Sequence, residues 1–212
     1  MRIKIKSVKS SIILIDFNNQ VWRNHHATER RMAPNSDGIN TGSIIGLTKT
    51  LMHAINRSKE LHTLPKLVIC EDRYPTRKHN LYKQHKDAFK DFKTPQTYKG
   101  NRLKKDLEYN PVEVCQEFLS CIPHTRIYCE GEEADDVMAA YVYDNWDKNI
   151  IMYSTDRDMW QLLNQFPKLK IFLGGEGEEP TEEMLLKKFQ TTVFSKIVLH
   201  KRKQLVCLCV RQ

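Results

Sequence analysis

The residues most capable of chemistry in this chain are carboxylates placed just after short apolar runs. Asp16 ends Ile12-Ile13-Leu14-Ile15, and Glu71-Asp72 ends Leu67-Val68-Ile69-Cys70. Glu132, Glu133, Asp135 and Asp136 follow the run that ends at Cys129. Asp156 and Asp158 follow Ile150-Ile151-Met152-Tyr153-Ser154-Thr155. A single acid in such a place is usually a turn former or a helix cap. Several meeting at one edge repel one another and need a compensating charge. Hard divalent cations with oxygen ligands supply that charge, and Mg²⁺ combines carboxylates with water and substrate phosphate. One or two Mg²⁺ are therefore expected here. Such ions polarise a scissile phosphate, generate hydroxide from bound water and stabilise the leaving oxygen.

The spacing refines this expectation. If a helix starts near Glu133, Asp135 and Asp136 point about 100° apart and cannot both aim directly at one ion. One would ligate, while the other would hold a metal-bound water or cap the helix. In Asp156-Arg157-Asp158 an extended turn could aim both acids inward. Alternatively, Asp158 simply caps the helix that follows it.

The elements that must position these acids read as an alternating α/β pattern. Strands are predicted at Ser11–Phe17, Lys66–Cys70, Thr125–Cys129, Asn149–Tyr153 and Leu169–Leu173. Helices are predicted around Ile44–Ile55 after Thr41 and Ser43, from Asn110-Pro111 onward, and from Glu133 to Trp146. Two more should start near Asp158 and after Pro180. This alternation means a mostly parallel central sheet with flanking helices and right-handed crossovers. Ligands of such sheets bind at the carboxyl ends of the strands, which is where the acids fall.

One stretch breaks the rhythm. Residues 76–105 hold ten Lys and Arg against two acids, Asp87 and Asp91, and that excess equals the whole chain's net charge of +8. Residues 130–147 hold seven acids and no Lys or Arg. The basic stretch is too polar for core and too long for a connection, so a protruding helical or partly disordered insertion is expected. Tyr82, Phe89, Phe92 and Tyr98 interleave the cations. Cations that meet phosphates, with rings that stack on bases, suit single-stranded nucleic acid. Together with the acidic edge, this points to a nuclease.

Other classes recede. There is no Walker-type GxxxxGK[ST], and Gly174-Gly175-Glu176-Gly177 is followed by acids and reads as a turn. The eight histidines are scattered, and the six cysteines form no CxxC pair. Cys70 and Cys129 lie in strand-like runs and read as small buried hydrophobes. The basic N-terminus, Met1–Lys6, has no apolar signal core after it, and no apolar run is long enough to span a membrane. A cytoplasmic protein with reduced thiols is expected.

At these residues the chain resembles the 5′ nuclease superfamily: flap endonucleases, 5′-nuclease domains of bacterial DNA polymerases, and especially the phage ribonuclease H or 5′–3′ exonuclease type. The motifs are Ile13-Leu14-Ile15-Asp16-Phe17, Glu133-Ala134-Asp135-Asp136, Ser154-Thr155-Asp156-Arg157-Asp158 and Tyr98-Lys99-Gly100-Asn101-Arg102, across roughly residues 10–190. The resemblance implies a PIN-like or resolvase-like domain over residues 1–192, with a helical arch inserted at about 76–105. It implies cutting of phosphodiesters near free 5′ ends of branched or nicked DNA and RNA–DNA hybrid, removing flaps and RNA primers. Asp16, Asp72, Glu133, Asp135, Asp136, Asp156 and Asp158 would form the metal cluster, with Mn²⁺ able to replace Mg²⁺. Lys99 and Arg102 would contact the scissile phosphate at the base of the arch. Arg23, Arg77, Lys78, Tyr82, Lys83, Lys86, Lys90, Lys93, Tyr98, Lys104 and Lys105 would contact nucleic acid. A single-strand-binding protein or a sliding clamp would be a fitting partner, in the host cytoplasm if the gene is a phage's.

The C-terminal region departs from that pattern. The family's Gly-Asp-x-x-Asp-Asn motif and its glycine-containing helical hairpin are missing, with no acid after Glu183 and no glycine after Gly177. Residues 193–212 read as an atypical tail, either divergent or truncated by a frameshift, or with the missing lobe supplied by another polypeptide. Weakened or altered cleavage is the expectation. The alternatives are a non-catalytic nucleic-acid-binding remnant and a PIN-type ribonuclease; the EADD and STDxD pairing and the YKGNR segment argue against the second.

Overall fold

The computed structural model describes residues 9–28, 32, 34–84, 109–163, 165–173 and 177–189. The elements run β1 (Ser10–Asp16), α1 (Phe17–Thr28), α2 (Gly42–Glu60), β2 (Leu64–Cys70), α3 (Thr76–Gln84), α4 (Pro111–Ser120), β3 (Thr125–Ile127), α5 (Ala134–Asp144), β4 (Asn149–Tyr153), a 3₁₀ helix (Arg157–Leu162), β5 (Leu169–Phe172) and α6 (Glu182–Phe189).

Side chains alternate across a strand, so β1 can feed two cores. Ile12 and Leu14 join Val68, Ile150 and Met152 beneath α5, the 3₁₀ helix and Leu185 of α6. Ile13 and Ile15 join Ile69, Ile151 and Tyr153 beneath α1, α2 and α4. Being buried on both faces explains the unbroken apolar run Ile12–Ile15. Each such side chain taken fully from water contributes about 1.5–3 kcal/mol. The strand order is β3-β2-β1-β4-β5, and every pairing is parallel. All five strands therefore end on one rim, with β1 at the centre. The α/β class read from the alternation is the class observed.

Several boundaries differ from expectation. Helix α1 is absent from the predicted set, because its sequence, Phe17-Asn18-Asn19-Gln20-Val21-Trp22, is polar and rich in weak helix formers. Strand β3 stops at Ile127 rather than Cys129, since the Glu132 amide donates to the Cys129 carbonyl in a turn that Gly131 completes at φ +85°. A 3₁₀ helix starting at Arg157 stands where a helix beginning near Asp158 was expected. Thr41 occupies the N-cap of α2 but makes no side-chain capping bond; the Asn40 Oδ1 accepts from the Gly42 amide instead. Asn110 does cap α4, accepting from the Val112 amide, with Pro111 in the first turn.

Helices α1 and α2 approach closely at Gly46, where a Cβ would fall 2.2 Å from Asn24 Cγ. Helix α3 opens the basic stretch and buries none of its residues. Lys86, Lys90, Lys93, Tyr98, Lys99, Arg102, Lys104 and Lys105, hence the proposed arch, lie outside the described residues. Residues 174–176, within the expected glycine-rich turn, and residues 190–212, with the expected boundary at 192, also lie outside them. Among the described residues, no helix is long and apolar enough to cross a membrane.

Candidate active site

Asp16 closes the central strand and is only 5% exposed. Its Oδ2 accepts from Ser154 Oγ at 2.7 Å, and its Oδ1 accepts from the Asn19 amide at 3.4 Å. These bonds favour the ionised form, yet burial outweighs them. With the charges of Asp72 and Asp156 adding repulsion, the Asp16 carboxyl is pushed up from 3.8 to about 7. Burial is the main cause of that rise, and the like charges of Asp72 and Asp156 add to it.

The neighbouring strands bring the other acids to the same rim. Asp72 follows β2; its Oδ1 accepts from the Ala134 amide at 2.8 Å and so serves the open N-terminus of α5. Glu133 holds the N-cap position itself but makes no side-chain capping bond. Asp156 follows β4 and caps the 3₁₀ helix, accepting from the Asp158 amide at 2.8 Å. The cap is therefore Asp156, not Asp158, and Asp158 lies exposed. The buried Cys70 thiol registers the convergence. Burial raises it most, and Asp16, Asp72, Glu71 and Asp135 all push it further the same way.

Two asparagines that the motifs do not mark hold this arrangement. Asn19 Oδ1 accepts from both the amide and the hydroxyl of Thr155, at 3.0 and 2.8 Å, fixing the loop that carries Asp156. Asn18 Oδ1 accepts from the Asp72 amide at 3.3 Å. Ser154 also accepts from the Asp156 amide at 3.1 Å. The signal available in the sequence is a pair of polar amides two and three residues after a strand-end aspartate.

The acids of α5 meet cations from α3. Lys78, its side chain 14% exposed, bonds Glu133 Oε2 at 2.5 Å, Asp136 Oδ2 at 2.7 Å and Asp135 Oδ1 at 3.2 Å. Asp135 and Asp136, expected to diverge, thus reach one ammonium, because a long lysine enters between them from a neighbouring helix. Arg77 forks onto Glu132 at 2.5 and 2.6 Å and reaches Asp136 at 3.5 Å. Burial raises the Asp135 carboxyl while the nearby Lys78 lowers it, and the balance is upward. Arg77 and Lys78, expected to contact nucleic acid, are ion-paired with the acidic segment. Arg23 and Lys83 are exposed, and Tyr82 is half-buried.

Glu71 has a different role from Asp72. It is 2% exposed and receives both Arg126 Nε and Nη2 at 2.8 Å, with Arg73 at 3.4 Å. That pairing ties the end of β2 to β3 and gives Glu71 counter-charges of its own.

Among the described residues, no three His, Cys, Asp or Glu side chains form a ready-made group around one cation. The seven acids expected to form one cluster share a rim without closing on a single point. The donor chemistry still fits a hard divalent ion. The acids supply only oxygen, Asp16 is burdened by burial and by two like charges, and an ammonium already sits among Glu133, Asp135 and Asp136.

A model of the family described as the 5′-3′ exonuclease, N-terminal resolvase-like domain, matches residues 11–190. DNA polymerase I of Borreliella burgdorferi is 26% identical over 188 residues, covering 86% of this chain and 19% of that protein. The solved structure of a T5 5′-exonuclease with divalent metal ions (zinc) bound matches with a TM-score of 0.52 at 15% identity. That match covers 86% of this chain and 62% of the other, and it shows a shared fold. The chain thus spans about a fifth of its curated relative and under two thirds of the solved one.

Proposed function

Because the chain belongs to the 5′-3′ exonuclease family, through its N-terminal resolvase-like domain, we propose that it is a divalent-metal-dependent nuclease cutting phosphodiesters near a free 5′ end. The observation that carries this reading is Asp16, a buried carboxylate pushed up to about 7 between Asp72 and Asp156 at the end of the central strand. Asp16, Asp72 and Asp156 would hold one cation, and Glu133, Asp135 and Asp136 would hold or approach a second. Bound there, Mg²⁺ or Mn²⁺ supplies Lewis-acid polarisation of the phosphate and compensation of its charge.

The chain's own groups prepare that step. Ser154 and the Asn19 amide orient the Asp16 carboxylate, and Asn19 holds the Asp156 loop. The N-terminus of α5 adds a partial positive charge beside the acids. Lys99 and Arg102 are assigned to the phosphate by their motif, and the basic stretch between β2 and α4 is assigned to the strand. Branched or nicked DNA and RNA–DNA hybrid with a free 5′ end are the proposed substrates, and primer or flap removal the proposed role. A binding remnant without cleavage is the second reading, favoured by Lys78 filling the acids of α5.

Titration of Mg²⁺ and Mn²⁺ against a 5′-labelled flap DNA separates the two readings. The nuclease reading expects metal-dependent cutting that disappears in Asp156→Ala, while salt-sensitive binding survives. Binding without cutting at any metal concentration supports the remnant. Cutting that persists in Asp156→Ala overturns the assigned site.

A further inference from the structure

Lys78 has a geometry that a phosphate contact does not require. Its ammonium stands within 3.3 Å of carboxylate oxygens from Glu133, Asp135 and Asp136, and its side chain is 14% exposed. Those residues open α5 beside Asp72, whose carboxylate binds the first amide of that helix. A carboxylate set facing one ammonium also suits a small hard cation, and the two cannot share the same oxygens at full strength.

We propose that Lys78 is a tethered competitor for the divalent cation: its ammonium occupies the acids of α5, and a metal ion must displace it. This rests on the nuclease reading above, because that reading assigns the same acids to metal. Lys78 thereby lowers the cation affinity of the free protein and links metal binding to release of the N-terminal part of α3. The helix can be released cheaply, since none of its residues is buried and Arg77 and Lys78 tie it to α5 through ion pairs. Once released, the ammonium lies at the start of the basic stretch, where phosphate would meet it.

The test uses the full chain without nucleic acid. Mn²⁺ binding is followed by loss of the free-ion paramagnetic resonance signal for wild type, Lys78→Met and Lys78→Arg. Lys78→Met should bind Mn²⁺ about tenfold or more tightly, since removing the competing charge leaves the carboxylates to the ion. Lys78→Arg, which keeps the charge, should stay within about threefold of wild type, by the same argument from charge. A second measurement needs no variant: reductive methylation of wild-type lysines, read by mass spectrometry. Lys78 should be modified several-fold faster with Mg²⁺ than with EDTA, while Lys170 on β5 keeps its rate. Equal Mn²⁺ affinity in wild type and Lys78→Met, or metal-independent methylation, overturns the competitor and leaves the nuclease reading standing. Failure of every protein to bind Mn²⁺ overturns both.

Discussion

The Asp16→Asn substitution should make the metal-free protein more stable while removing its proposed function. The ordinary carboxyl value of 3.8 describes Asp16 in the unfolded chain, and about 7 describes it in the fold. Between those values the folded protein binds the extra proton, so wild-type stability falls as pH rises through this window. Above about pH 7 the full cost is present, roughly 4 kcal/mol at 1.36 kcal/mol per unit. The amide introduced by Asp16→Asn carries no charge to desolvate but gives up one acceptor, a loss of about 1 kcal/mol. A net gain of about 3 kcal/mol is therefore expected near pH 8, or a rise of about 6–12 °C in Tm for a chain of this size. Near pH 4 the two proteins should be within about 1 kcal/mol of each other, because wild-type Asp16 is then protonated in the fold. Urea unfolding in EDTA at both pH values measures this. Mg²⁺ should raise wild-type stability near pH 8 and leave Asp16→Asn much less affected. If Asp16→Asn destabilises the protein equally at both pH values, Asp16 is an ordinary hydrogen-bonded carboxylate and the argument from uncompensated negative charge fails.

Three further outcomes are expected. Asn19→Ala removes both bonds to Thr155, and amide exchange across Thr155 and Asp156 should accelerate about tenfold, equivalent to about 1.4 kcal/mol; unchanged exchange would show that the loop is held from elsewhere. Arg126→Ala leaves Glu71 with Arg73 and Gln116 at 3.4 and 3.5 Å, and urea unfolding should report a loss of about 1–2 kcal/mol, less than for a fully buried pair because Arg126 is half exposed. Gly46→Ala would gain up to about 1 kcal/mol from helix propensity alone, but the clash with Asn24 should turn this into a net loss of about 1–2 kcal/mol; a stabilised variant would show that α1 and α2 can separate freely.

The fold was legible because buried parallel strands leave continuous apolar runs, and Ile12–Ile15, Leu67–Cys70 and Ile150–Tyr153 all did so. Helix α1 was not legible. Its buried face includes Gln20, Asn24 and His25, which resemble a surface in one dimension and are interior only because α2 closes over them. The strand-end acids were visible by position. What they touch was not, because the docking of Lys78 and Arg77 depends on where α3 lands after the connection that follows β2. A run of cations looks the same whether it faces solvent or a row of carboxylates some 55 residues away.

The way α3 is fastened gives this molecule a second dial besides the proposed metal. A segment held by apolar packing ignores the electrolyte around it, whereas an ion pair that keeps a side toward water, as Arg77 does at 30% exposed, feels added ions. The screening distance shrinks from about 8 Å in physiological saline to about 3 Å in molar salt. Concentrated salt should therefore loosen the Arg77 pairs of α3 before it disturbs the sheet beneath, so helix and sheet respond to the medium independently.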